Sequence, residues 1–216
     1  MGYIYSGIPK ELILKLKQES GYENLVETGT FTGNTIIWAA SVFKNCFTIE
    51  INKSLSDLAS QRSDCPKNIQ FIVGDSKTEL KKLVPTLSDK TIFWLDGHYS
   101  GEGTGGVDNE CPVMDELDAI KILPNSLILI DDARFFLGPP PLGHRAKDWP
   151  GLDEIILKLK TNFPNHYSSL VDDTIISVPQ QYKFVLDNDW QKNFYIRYPK
   201  QKQSKTLLSS IKKLFS

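Results

Sequence analysis

Five places in this sequence set a carboxylate beside small or hydroxyl-bearing neighbours: Glu27-Thr28-Gly29-Thr30, Glu50, Gly74-Asp75-Ser76, Asp96-Gly97-His98 and Asp131-Asp132. Carboxylates so placed can accept hydrogen bonds from sugar hydroxyls, hold a hard cation, or share proton transfer with a histidine. One Asp or Gly at the end of an apolar run is ordinary turn chemistry. Five in register are hard to assign to turns alone. Gly29 and Gly33 bracket a turn where the backbone can approach a ligand closely and the next helix offers its first N–H groups. The turn is not G-x-G-x-x-G, so the dinucleotide fingerprint is absent. Glu50 can accept from both hydroxyls of a ribose, and Asp75 and Ser76 can then reach an adenine edge.

Each carboxylate follows a predicted strand. Apolar runs at 24–28, 46–51, 69–74, 91–95 and 126–130 alternate with helical patterns at 34–43, 53–62, 77–84, 112–122 and 152–163. Five strand–helix units in succession predict an α/β fold, a parallel sheet with helices on both faces, whose ligands sit beyond the carboxyl ends of the strands. Residues 8–20 read as an amphipathic helix packed on that domain, with Pro9 in its first turn. Runs at 166–171 and 174–178, split by Asp172-Asp173, read as an antiparallel hairpin closing the sheet edge, and 182–186 and 194–198 as further strands. One domain is expected over residues 1–199, followed by a Lys-rich tail, 200–216, that reads as a packed or frayed helix.

Composition narrows the function class. A net charge of −1 calls for no nucleic-acid or anionic-membrane partner. Three scattered cysteines, Cys46, Cys65 and Cys111, argue against a disulfide framework or zinc site and for a reducing compartment. No signal peptide and no membrane span is expected, which predicts a cytoplasmic protein.

V-E-T-G-T-F-T-G, the acidic Glu50 and G-D-S resemble the successive cofactor motifs of class I S-adenosylmethionine-dependent methyltransferases, over about residues 20–180. The resemblance implies a Rossmann-like, doubly wound, mostly parallel seven-stranded sheet with a reversed C-terminal β-hairpin. It places Glu27 at the methionine amino group, Thr28, Gly29, Thr30 and Gly33 along the cofactor, Glu50 at the ribose, and Asp75, Ser76 and Asp96 nearby. A nicotinamide oxidoreductase is the rival; Glu50 would serve it, but the glycine triplet is missing.

W-L-D-G-H and L-I-D-D carry a second cluster. On neighbouring strands Asp96, Asp131 and Asp132 can converge, and three carboxylates in one place repel unless a cation neutralises them. Oxygen-only ligation suits Mg²⁺ or Mn²⁺. Against this, Asp131 and Asp132 are adjacent, so the strand must turn for both to ligate; otherwise Asp132 caps the next segment. These motifs resemble the metal-dependent sugar O-methyltransferases of macrolide and aminocoumarin biosynthesis, which implies a hydroxyl acceptor on a sugar or glycosylated small molecule. That branch has an acidic base two places after its first metal ligand, where this chain has His98. Histidine suits the role, with an unperturbed pKa of about 6.5; a structural hydrogen bond or a nitrogen ligand are its other readings. Residues 100–109, with four glycines, read as a lid or a plain loop. Glu110 and Glu116 flank the next helix start; Glu116 can reach the site, but a solvated helix face is the favoured expectation. Phe135, Phe136, His144, Arg145 and Trp149 surround a proline-rich turn as a substrate wall or as loop packing. The acceptor and the oligomeric state stay open, a homodimer among the alternatives.

Overall fold

A computed structural model describes residues 7–99, 101, 104 and 109–198. The predicted tail and most of the glycine-rich segment lie outside the described residues. Seven strands form one sheet in the order β3-β2-β1-β4-β5-β7-β6. They are β1 (Asn24–Thr28), β2 (Asn45–Glu50), β3 (Ile69–Val73), β4 (Thr91–Leu95), β5 (Leu127–Ile130), β6 (His166–Val171) and β7 (Thr174–Pro179). The first five pair in parallel, and β7 runs antiparallel to both β5 and β6. The seven-stranded sheet with its reversed terminal hairpin is therefore present, with Asp172 in the left-handed region at the hairpin turn (φ 55°).

The helices are α1 (Lys10–Ser20), α2 (Asn34–Ala40), α3 (Lys53–Ser60), α4 (Ser76–Leu83), α5 (Val113–Ile120), α6 (Leu152–Asn162) and α7 (Lys183–Arg197). Strand residues alternate between two cores. Val26, Ile49, Phe93, Leu95, Ile128 and Ile130 meet α4, α5 and α6 on one face. Leu25, Cys46, Ile92, Trp94, Leu127 and Leu129 meet α1, α2 and α7 on the other. The central strands are buried on both faces, which is why they read as unbroken apolar runs rather than alternating ones.

The further strands expected at 182–186 and 194–198 are not strands; both fall in or beside α7. Val185, Leu186 and Asp189 are its buried positions, a helical spacing. The buried Asp189 carboxylate accepts from Lys15 Nζ at 2.7 Å and Arg197 Nη2 at 2.9 Å, which fastens α7 to α1. The aromatic β-formers of this stretch are overridden by that packing.

Leu16 is fully buried between α1 and the sheet. Leu16→Ala should cost about 2–5 kcal/mol. A thermal melt should show the midpoint falling by about 2–4 °C for each kcal/mol lost in a chain of this size.

Candidate active site

The strand order reverses between β1 and β4, since β1 leads outward to β2 while β4 leads the opposite way to β5. Ligand crevices of open parallel sheets form at such a switch point. Gly29 lies in it, at φ 82°, and a Cβ there would stand 2.2 Å from the Asp96 carbonyl oxygen. The turn out of β1 is thus pressed against the end of β4, and only glycine permits it. Glu50, buried at the end of β2, ties the same turn from the other side. Its Oε2 accepts the Phe31 N–H at 2.9 Å and its Oε1 the Asn52 N–H at 2.9 Å. A carboxylate has about four acceptor positions, so both oxygens can still take a ligand hydroxyl.

Alternation puts Glu27, Thr48, Glu50, Asp96 and Asp131 on the α2 side of the sheet, at its carboxyl edge. Glu27 is 1% exposed. Its Oε2 accepts from Thr48 Oγ1 at 2.6 Å, and the Thr30 hydroxyl lies 2.6 Å from that of Thr48. Burial pushes the Glu27 carboxyl up to about 8, with the charge of Glu50 adding and the Thr48 hydroxyl opposing. Asp96 also lies well above the carboxylate range, through burial of its carboxyl and then the charges of Asp131, Glu27 and Asp132. Asp131 rises to about 6, again from burial first, with Asp132 adding and the Asp132 N–H, His98 and Arg134 opposing. This edge is short of positive charge.

Asp132 differs from its neighbours. The chain turns there, with Asp132 left-handed (φ 54°, ψ 41°), and the Asp132 N–H donates to Asp131 Oδ1 at 2.8 Å. Asp132 makes no side-chain capping bond. Its Oδ2 lies 2.8 Å from His98 Nε2 and its Oδ1 2.7 Å from Arg134 Nη1. Burial would raise its pKa, but the His98 hydrogen bond and charge and the Arg134 guanidinium hold it below the usual range. His98 Nδ1 stands 3.7 Å from Asp96 Oδ1. Its ring packs edge-on against Trp149 at 5.5 Å and Phe135 at 6.2 Å.

Glu110 anchors that aromatic wall. Its buried Oε2 accepts from Trp149 Nε1 and the Arg145 N–H at 2.9 Å each and contacts His144 Nδ1 at 3.2 Å. Burial is opposed and outweighed by these three donors, so its pKa is lowered. Glu116 corrects the expectation of a solvated face, being 1% exposed. It lies under the β4 turn: a Cβ on Gly97 would be 3.1 Å from both Glu116 Oε1 and Thr28 Oγ1. Burial raises its carboxyl to about 7, with the Ser76 and Thr28 hydroxyls opposing. Thr28 and Ser76 therefore turn to the face opposite Glu27. Asp75 caps α4, its Oδ1 accepting the Lys77 N–H at 3.1 Å.

No protein-family model matches the sequence, and no curated protein sequence matches it. Its likenesses are to solved structures. TomG, an O-methyltransferase from Streptomyces achromogenes involved in tomaymycin synthesis and solved with S-adenosylmethionine, gives a TM-score of 0.56 at 15% identity, over 82% of each chain. An O-methyltransferase from Bacillus cereus with S-adenosylhomocysteine gives 0.55 at 17%, covering 81% of this chain and 82% of that one. Human methyltransferase-like protein 13, also with S-adenosylhomocysteine, gives 0.53 at 17%, covering 94% and 97%. The chain has the class I methyltransferase fold.

Within the methyltransferase fold, the expected positions divide into groups. Glu27, Gly29, Thr30, Glu50 and Asp96 gather at the carboxyl edge around the switch point and His98, Asp131 and Asp132 form the adjoining cluster, whereas Thr28 and Ser76 turn to Glu116 on the opposite face and Asp75 caps α4. Arg134, Glu110 and Trp149 complete that cluster; in the sequence Arg134 is legible only as the residue closing L-I-D-D-A-R.

The raised Glu27 carboxyl has a measurable consequence. Between its ordinary 4.5 and about 8 the folded protein keeps a proton the unfolded chain has lost, so stability falls as pH rises through that window. Glu27→Gln removes the penalty. At pH 8 it should be stabilised over the parent by more than about 1 kcal/mol, and at pH 4.5 not at all; melting curves at both pH values check this.

Proposed function

We propose that this chain is an S-adenosylmethionine-dependent O-methyltransferase acting on a hydroxyl of a sugar or glycosylated small molecule. The observation that carries the reading is the crevice at the β1–β4 switch point: a glycine packed so closely on the end of β4 that a Cβ there would stand 2.2 Å from the Asp96 carbonyl oxygen, with the acidic Glu27, Glu50 and Asp96 on the same edge. Such a crevice favours a ligand bearing a cationic group and a ribose. S-adenosylmethionine would supply an activated methyl on a positively charged sulfur. The solved structures of this fold that hold S-adenosylmethionine or its demethylated product support the same reading.

Glu27, its carboxyl paired with the Thr48 hydroxyl, would receive the amino group, and Glu50 the ribose hydroxyls. Gly29, Thr30 and Gly33 would follow the cofactor backbone and Asp75 would serve the adenine, while Thr28 and Ser76, whose hydroxyls meet Glu116 on the opposite face, would hold the turns in place. His98 would take the proton of the acceptor hydroxyl as the oxygen–methyl bond forms. Asp132, 2.8 Å away, would then stabilise the imidazolium, much as a triad carboxylate does. Phe135 and Trp149 would hold the acceptor, an aromatic face suiting a sugar ring. Beyond Trp149 an open groove of ≈ 760 Å³, lined by Phe136, Leu137, Pro139, Pro140 and Ile156, has room for the rest of it.

The divalent cation expected from the second cluster does not fit the side chains as they stand. Among the described residues no three acidic, His or Cys side chains gather as a ligand set. Asp132 is engaged by His98 and Arg134, and Asp131 by a backbone N–H. No step is therefore routed through a metal.

Calorimetric titration with S-adenosylhomocysteine tests the cofactor. Binding is expected with proton release near pH 7, as Glu27 ionises against the ligand's ammonium, so the heat should vary with the buffer's ionisation enthalpy. Glu27→Gln should weaken binding at least tenfold and remove that buffer dependence. Binding of NADH with none of S-adenosylhomocysteine would sink the reading. Gly29→Ala should abolish binding, because its Cβ displaces the end of β4.

A further inference from the structure

The acidic edge at β4 and β5 calls for a positive charge, and one side chain already delivers it. Arg134 Nη1 lies 2.7 Å from Asp132 Oδ1 and also pairs with Asp173. Asp173 is 5% exposed and sits at the turn between β6 and β7. It fixes the backbone of the arginine segment too: the Arg134 N–H donates to Asp173 Oδ1 at 2.9 Å, and the Ala133 N–H to its carbonyl at 2.9 Å. The guanidinium is stacked over the Phe135 ring, 4.7 Å from its centroid. Phe135 is the same ring that packs on His98.

We propose that Arg134 is a positioning residue of this site, standing in the place of a metal ion at Asp132 and locking that carboxylate against His98. The two Asp132 oxygens are divided between them, Oδ1 to Arg134 and Oδ2 to His98. A guanidinium suits this role because it keeps its charge at any working pH and presents a rigid fork of donors, here shared between two carboxylates. The line Asp173–Arg134–Asp132–His98 runs from the reversed hairpin to the proposed base. It gives the hairpin a role in the site, since its turn aims the residue that aims His98.

The inference rests on the methyl-transfer reading only for the role of His98, and its test needs no acceptor. Full-length protein is titrated with Mn²⁺ and followed by electron paramagnetic resonance, with and without S-adenosylhomocysteine, and the ring nitrogens of His98 are followed by ¹⁵N NMR. The parent should show no saturable sub-millimolar Mn²⁺ site and one dominant His98 tautomer, with the Nε2 proton held on Asp132. Arg134→Gln should gain a saturable Mn²⁺ site, lost again when Asp132→Asn is added, and its His98 nitrogen signals should shift toward a tautomer mixture. Arg134→Lys keeps the charge but not the fork; it should exclude Mn²⁺ while still shifting the His98 signals, which keeps the test open if the glutamine variant folds poorly. A parent Mn²⁺ site abolished by Asp132→Asn would overturn the proposal. So would variants whose Mn²⁺ binding and His98 signals both match the parent. Absence of S-adenosylhomocysteine binding would count against the proposed function alone, because the Mn²⁺ and NMR results stand without the ligand.

Discussion

The close approach of Gly29 to the Asp96 carbonyl is the constraint on which the site depends. Parallel pairing of β1 with β4 brings Thr28 beside Leu95, so the next residues must diverge at once. Gly29 does so at φ 82°, and its N–H is held by the Ile49 carbonyl at 2.9 Å. Any side chain there would push the two strand ends apart. The crevice would then lose its floor, and the Asp96-Gly97-His98 turn would lose its registration with the turn out of β1. Glu50 fixes that turn from the β2 side through Phe31 and Asn52. Three strands are thus fastened together by backbone contacts and the Glu50 carboxylate before any ligand group is considered.

Below this floor lies a second layer of constraint. Glu116, from the first turn of α5, is buried among Thr28, Ser76 and Gly97. It joins the ends of β1 and β4 and the start of α4 on the face away from Glu27. Glycine at position 97 leaves room for the Glu116 carboxyl, as Gly29 leaves room for Asp96. The two glycines and two acids make the switch point a sandwich, with the β4 turn as its filling. The fold positions His98 because this turn cannot move toward either face.

Much of this is legible in the residues. The five parallel strands stand out as short apolar runs ending in carboxylates; β1, β4 and β5, buried on both faces, show no alternation, while β3 at the sheet edge is only partly buried. The reversed hairpin follows from Asp172-Asp173. The runs at 182–186 and 194–198 read as strands because their aromatic and β-branched residues favour strands locally, while the deciding partner of Asp189, Lys15, is 174 positions away in the chain. Glu116 misleads for a similar reason: an acid in a helical first turn reads as solvated until the glycine and hydroxyls that receive it are folded around it. Arg134 carries little local signal beyond Asp132 two places before it, since the partner that fixes its backbone, Asp173, comes from the β6–β7 turn. Long-range charge pairing is the part of a site that spacing along the chain does not encode.

The carboxylates of this edge fall into two electrostatic classes. Glu27, Asp96 and Asp131 are pushed upward by burial first and then by a neighbouring carboxylate, Glu50 at Glu27, Asp131 at Asp96 and Asp132 at Asp131, while Asp132 is pulled down by His98 and Arg134. By keeping their protons the first class avoid the cost of buried like charges, and that cost returns as pH rises through their raised values. A ligand bringing a positive group to Glu27 would have to draw off its proton near pH 7, so part of the binding free energy would go into that ionisation. Asp132 carries no such penalty; its charge is already engaged in orienting a histidine. One group of acids is held neutral by burial while the adjoining Asp132 keeps its charge against its own cation, so carboxylates a few ångströms apart on one sheet edge are set to opposite protonation behaviour by their surroundings.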